Sequence, residues 1–160
     1  MNTERYKVEY VEQVIELLKS TPNPVHLPSD VFFKIGKLFE GEPDREKLSA
    51  LLRKTYTVMA IEDEKLVGLA GMDKEGNIGI FAASENPKAQ KLLLNALDRR
   101  AEKAEVPQLF VQPFDDARDL FIRQGYEPQG EGNDCNLVRK ITSKDELDFK
   151  PESAKSFTLD

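Results

Sequence analysis

Two residues in this chain invite a chemical reading before any others: His26, its only histidine, and Cys135, its only cysteine. An imidazole titrates near neutral pH, so His26 could serve as a general base, although a lone loop histidine is more often structural or solvated. One histidine excludes a paired-histidine metal centre, and one cysteine excludes an intrachain disulfide or a cysteine-rich zinc site; no metal is expected. Cys135 follows Asp134 and has no local cation to lower its pKa, which reads as a buried or inert thiol. The remaining cluster is Asp115, Asp116 and Asp119. It could hold a cationic substrate, or Asp116 could cap a short helix whose first turn favours the other two.

These residues depend on elements whose periodicities are legible. An extended piece around Tyr6 to Tyr10 leads into a helix with apolar positions at Val11, Val14, Ile15, Leu17 and Leu18, stopped by the prolines of TPNP. Ser29 or Asp30 can cap a second helix carrying Val31, Phe32, Ile35, Leu38 and Phe39, with Gly41 as its end. Leu48, Leu51 and Leu52 mark a third helix, with Pro43 suited to its first turn. Three β-rich runs follow, Thr55 to Ile61, Leu66 to Met72 and Ile78 to Ala82, separated by polar turns, and they predict an antiparallel meander. Gly79 in the third run marks either a β-bulge that turns an N–H outward or a point of close packing. Asn86-Pro87 reads as a cap and first helical position for a helix of about five turns buried along Leu93, Leu97, Ala101 and Ala104. A strand at Leu109 to Gln112, a short helix at Ala117 to Arg123 and a last strand within Asn136 to Ile141 complete the pattern.

The 160 residues are enough for one domain and one core, placed at 1–141, with 142–160 as a polar tail. A net charge of -6 argues against binding to nucleic acid or to an anionic membrane through counterion release. The first residues carry no signal-peptide core and no run reaches 18 apolar residues, so a soluble cytoplasmic protein is expected.

The block from Tyr56 to Ile141 resembles the GNAT superfamily of acyl-CoA-dependent N-acetyltransferases. The hairpin IEDEKLVGLAGMD, the helix KLLLNALDRRAEKAEV running into QLFVQP, and ARDLFIRQGYEP carry the match in order and spacing. Ala117, Leu120, Phe121, Gly125 and Tyr126 stand where the family has A-x-x-F-Y-x-x-x-G-F/Y, and the helices of residues 11–54 correspond to its two N-terminal helices. The resemblance implies an α/β (α+β) fold, with a mixed, mostly antiparallel central sheet of about six to seven strands flanked by helices.

The resemblance also implies a site. Acetyl-CoA would bind along Ile80 and Ala82 of the third meander strand and at the start of the long helix through Lys88, Gln90 and Lys91, with oxyanion donors on the strand. Glu85, Lys88 and Gln90 occupy the three characteristic positions of the family's Q/R-x-x-G-x-G/A phosphate segment, and Phe121 occupies that of its acidic tyrosine. Tyr126 belongs to the motif's terminal aromatic and reads as core. His26 lies on the loop where the family contacts acceptors. Two functions follow: acetyl transfer to a small-molecule or peptide amine, or a catalytically inactive fold that binds a ligand or partner. A homodimer is an option, with Leu147, Phe149 and Phe157 of the tail as docking residues.

Overall fold

The first strand is earlier than the sequence suggests. In the computed structural model, which describes residues 1–83, 85–131 and 136–141, β1 is Asn2–Arg5, and the Val8–Tyr10 stretch read as extended is a 3-10 turn. The polar NTER segment has no apolar alternation to advertise a strand, and it forms by pairing Asn2 to Arg5 with Ile61 to Val58. Helices α1 (Val11–Ser20), α2 (Asp30–Leu38) and α3 (Arg45–Arg53) follow. Helix α2 ends before Gly41, capped at Phe39, and Pro43 precedes the Asp44 cap of α3 instead of entering its first turn. Asp44 caps by accepting from the Lys47 N–H at 3.1 Å.

The meander is β2 (Tyr56–Glu62), β3 (Lys65–Met72) and β4 (Ile78–Ala82), all antiparallel. Asp63 and Glu64, both at positive φ, make the two-residue β2–β3 turn. Helix α4 (Pro87–Lys103) is capped by Asn86, as the Asn-Pro pair predicts. Then come β5 (Gln108–Val111), a 3-10 turn at Asp115–Ala117, α5 (Arg118–Arg123), β6 (Glu127–Pro128) and β7 (Leu137–Lys140). Asp116 lies inside the 3-10 turn and caps neither it nor α5, since neither has a side-chain cap. Cys135 and the tail 142–160 lie outside the described residues.

The strands form two sheets, of order β1-β2-β3-β4 and β5-β7-β6, where one sheet of six to seven was expected. They meet at one parallel bridge, Asn77 to Phe110, where the Phe110 N–H donates to the Gly76 carbonyl at 2.8 Å. The α/β class holds. Two apolar layers cover the larger sheet. On one face α4 contributes Leu93, Leu97 and Ala101 against Val58, Ala70 and Phe81; on the other α1, α2 and α3 contribute Val14, Phe32 and Leu48 against Met59, Leu69 and Ile80. Each such large side chain, buried, stabilises by roughly 1.5–3 kcal/mol. Arg139 of β7 ties the smaller sheet to α4 through Asp98, Nε to both carboxylate oxygens at 3.0 Å, and its Nη1 donates to the Gln124 carbonyl at the end of α5.

Candidate functional site

The site is built on an irregularity in β4. Ile80 pairs with Gly71 and Ile78 with the next residue, Met72, so Gly79 is an extra, unpaired residue. The glycine is both a bulge and a point of close packing, since a Cβ on it would stand 2.2 Å from the Phe32 ring, and the group it offers to the free edge is its carbonyl. The bulge reverses the alternation, so Ile78 faces the α4 layer while Ile80 faces the α1–α3 layer.

Beyond the bridge at Asn77, the edge of β4 that looks away from β3 has no strand partner among the described residues. Its backbone groups are met by a side chain instead. Asn23 donates Nδ2–H to the Gly79 carbonyl at 3.0 Å, and its Oδ1 accepts from the Phe81 N–H at 3.0 Å. The loop that delivers Asn23 is stiffened by Pro22 and Pro24 and stitched to the chain beyond β5: the Phe114 N–H donates to the Pro24 carbonyl and the His26 N–H to the Gln112 carbonyl, both at 2.8 Å, and Val25 bridges Pro113. Residues 22–26 therefore strap β4 to the exit of β5.

A cavity flanks the strap on each side. One, of about 480 Å³, is a cleft between the end of β4, the start of α4 and α5, lined by Phe81, Ala83, Gln90 and Leu120 and by four charged side chains. Three of these are carboxylates, Glu85, Asp116 and Asp119, and one is a cation, Arg123, so the cleft disfavours anions. The other, of about 300 Å³, is apolar, walled by Leu18, Leu27, Phe32, Ile80 and Phe114, with Asn23 on its boundary.

The start of α4 offers few backbone donors. Pro87 has no N–H, the Ala89 N–H is taken by the Asn86 side chain at 3.1 Å, and the Gln90 N–H by the Asn86 carbonyl at 2.9 Å. Among the described residues, only the Lys88 N–H is left in the first turn. Glu85 enters the turn at φ 58°, a conformation that a glycine would adopt without strain.

Of the residues singled out by sequence, Gln90 lines the cleft and donates Nε2–H to the Ala83 carbonyl at 3.1 Å. Lys88 and Lys91 are exposed and lie outside the cleft lining, while Ile80 and Ala82 pair with Gly71 and Leu69 of β3 and bury their side chains in the α1–α3 layer, so the groups at the free edge of β4 are those of Gly79 and Phe81. His26 is exposed, with its ring 4.1 Å from that of Phe114, and borders a hollow with Gln112 and Asn136 away from the cleft. Phe121 is buried between Phe81 and Tyr126, ring centroids 5.3 and 5.4 Å away. Tyr126 is core: it is 2% exposed, its hydroxyl has no partner among the described residues, and burial holds its phenol far above the usual range. The residue that sequence reasoning missed is Asn23, whose only signal was its place between two prolines.

Among the described residues no cluster of histidine, cysteine and carboxylate side chains could hold a metal, and no helix is long and apolar enough to cross a membrane. Neither a family model nor a curated protein matches the sequence. Solved structures do match. A probable acetyltransferase from Staphylococcus epidermidis aligns at TM-score 0.64 with 15% identity over 88% of this chain and 99% of its own. The PaiA N-acetyltransferase of Thermoplasma acidophilum, solved with coenzyme A, aligns at 0.60 with 17% identity over 88% and 100%. The aminoglycoside 6'-N-acetyltransferase of Enterococcus faecium aligns at 0.60 with 11% identity over 90% and 99%. The chain has the fold of the GCN5-related N-acetyltransferases.

Proposed function

We propose that this GNAT-fold chain is a divergent acyl-CoA-dependent N-acyltransferase that moves an acetyl group to a small amine or a peptide amine. The observation that carries this reading is the free edge of β4, where the Gly79 carbonyl and the Phe81 N–H are spaced to receive one amide and are satisfied by that of Asn23. The arm that links the thioester of acetyl-CoA to its phosphates contains amides of the same chemistry, so it is complementary to an edge that Asn23 holds in the meantime. Ile80 and Ala82 flank these groups on β4, with their own backbone paired to Gly71 and Leu69 of β3.

The phosphate end fits less well. Glu85 and the missing Pro87 donor oppose a pyrophosphate, and the cations that could meet it are the side chains of Lys88 and Lys91, with Gln90 as a neutral partner. The apolar cavity beside Ile80 carries no charged wall among the described residues and suits an acceptor amine with an apolar body. When bound, acetyl-CoA would supply the activated acyl group; this chain's contribution is to hold it along β4 and keep water from the apolar cavity.

A second reading is favoured by specific observations: Asn23 already satisfies the edge, three carboxylates line the cleft, and neither Phe121 nor Tyr126 presents a proton donor to it. On that reading the chain is a non-catalytic GNAT-fold domain that binds a ligand or partner. Thiol release from acetyl-CoA in the presence of a panel of amines separates the two. The acyltransferase reading expects release that depends on both chain and amine. Release no faster than that of acetyl-CoA alone, with every amine tried, leaves the second.

A further inference from the structure

The opposite end of the molecule carries a pocket of about 330 Å³ whose charge contradicts the rest of the chain. Its lining includes Arg5, Arg53, Lys54, Lys74 and Arg100, five cations from β1, α3 and its C-cap, the β3–β4 turn and α4, in a chain that has 23 basic and 29 acidic residues. Among the described residues the single acid in the lining is Asp73, and it is already committed. It is 8% exposed, its Oδ1 accepts from the Glu75 and Asn77 N–H groups at 3.0 and 2.9 Å, and its Oδ2 accepts from Asn77 Nδ2 at 3.1 Å. None of the five cations forms an ion pair among the described residues.

Local structure explains part of this convergence. Arg53 and Arg100 sit in the last turns of α3 and α4, where a cation complements the helix dipole. Arg5 and Lys74 have no such role. Tyr56 organises the pocket: the guanidinium carbons of Arg5 and Arg100 lie 5.6 and 5.3 Å from its ring centroid, which fixes two planar donor forks at the pocket wall. Five like charges around one hollow repel one another, and a multivalent anion would reverse the sign of that interaction.

We infer that this pocket binds a small oligophosphate, a molecule carrying two or more linked phosphate groups. A single phosphate would leave most of the cations unmet, whereas linked phosphates match both their number and the bidentate geometry of two guanidinium groups. The pocket is distinct from the cleft. Arg100 lies ten residues along α4 from Gln90, roughly 15 Å at the helical rise, beyond the screening length of about 8 Å at physiological salt. The inference is thus independent of the acyltransferase reading, and its test uses no acyl donor.

The test is calorimetric titration of the full chain at about 0.15 M salt with inorganic tripolyphosphate, ATP and orthophosphate. Saturable binding of tripolyphosphate at one site is expected, at least about tenfold tighter than orthophosphate. Lys54→Glu and Lys74→Glu, both at exposed positions, should each weaken it about tenfold with little change in Tm. Lys65→Glu makes the same charge change at the far end of β3 and should alter it less than about twofold. Tighter binding of ATP than of tripolyphosphate supports the site and assigns a nucleotide source; equal binding supports it and assigns the phosphate chain alone. The inference is overturned if the wild type shows no saturable binding at millimolar tripolyphosphate, or if Lys65→Glu weakens binding as much as Lys74→Glu.

Discussion

Asn23 is the residue on which the reading of the site turns. Its amide satisfies one donor and one acceptor that the splitting of the sheet would otherwise leave open on β4, and an unsatisfied buried group costs about 1–3 kcal/mol. Asn23→Ala is therefore expected to lower the urea midpoint by a stability loss in that range. Asn23→Asp keeps the acceptor for Phe81 but turns a carboxylate oxygen towards the Gly79 carbonyl, so it should be no more stable than the alanine variant. Unchanged midpoints in both would remove the strap from the fold's energetics. Gly79→Ala forces a methyl into the Phe32 ring and should cost about 1–3 kcal/mol or more, read in the same experiment. Tyr126→Phe removes a buried hydroxyl that has no partner among the described residues and is expected to be neutral or stabilising. Sequence pattern found Gly79 and Tyr126, and it assigned Tyr126 to the core. It could not find Asn23, because the groups that define its role are 56 and 58 residues away and are backbone atoms with no residue signature.

What the elements must do is hold β4 and β5 together at one end and apart at the other. The pin is the turn between β3 and β4. Gly76 sits at φ 92°, and a Cβ there would lie 2.3 Å from the Gln108 carbonyl, so only glycine allows its own carbonyl to receive the Phe110 N–H. Gly76→Ala should cost about 1–3 kcal/mol or more and, in hydrogen exchange, release the Phe110 amide ahead of the core of β2 and β3; protection equal to wild type would contradict the pin. A second tie, Asp98 to Arg139, carries a pH signature. Burial raises the Asp98 carboxyl above its ordinary range and outweighs the lowering by Arg139, so the folded chain binds this proton more readily than the unfolded one. The wild type should accordingly gain stability relative to Asp98→Asn as pH falls through the carboxylate range, and lose that gain as pH rises through it. Helix α4 was legible from its cap, proline and apolar stripe, and β2 to β4 from their β-rich runs. Strands β1 and β6 were not, since NTER and EP carry no pattern and exist only through β2 and β7.

Taken whole, the molecule separates its charges. The cleft at the start of α4 is lined by three carboxylates and one cation, while the pocket at the other end gathers five cations around one committed acid. The net charge of -6 conveyed the first environment and hid the second, because a sum over the chain carries no position. The order of elements was enough to point to a GNAT resemblance, and the solved structures bear out the fold. The site followed less completely, since the strap and the split between the sheets are products of long-range pairing. The most direct test of the acyl-donor edge is a thermal-shift titration with acetyl-CoA on the wild type, Glu85→Gln and the Lys88→Ala/Lys91→Ala pair. Saturable stabilisation of the wild type is predicted, stronger in Glu85→Gln, where a repelling charge is gone, and weaker in the double lysine variant. No shift at millimolar acetyl-CoA in either the wild type or Glu85→Gln would contradict it.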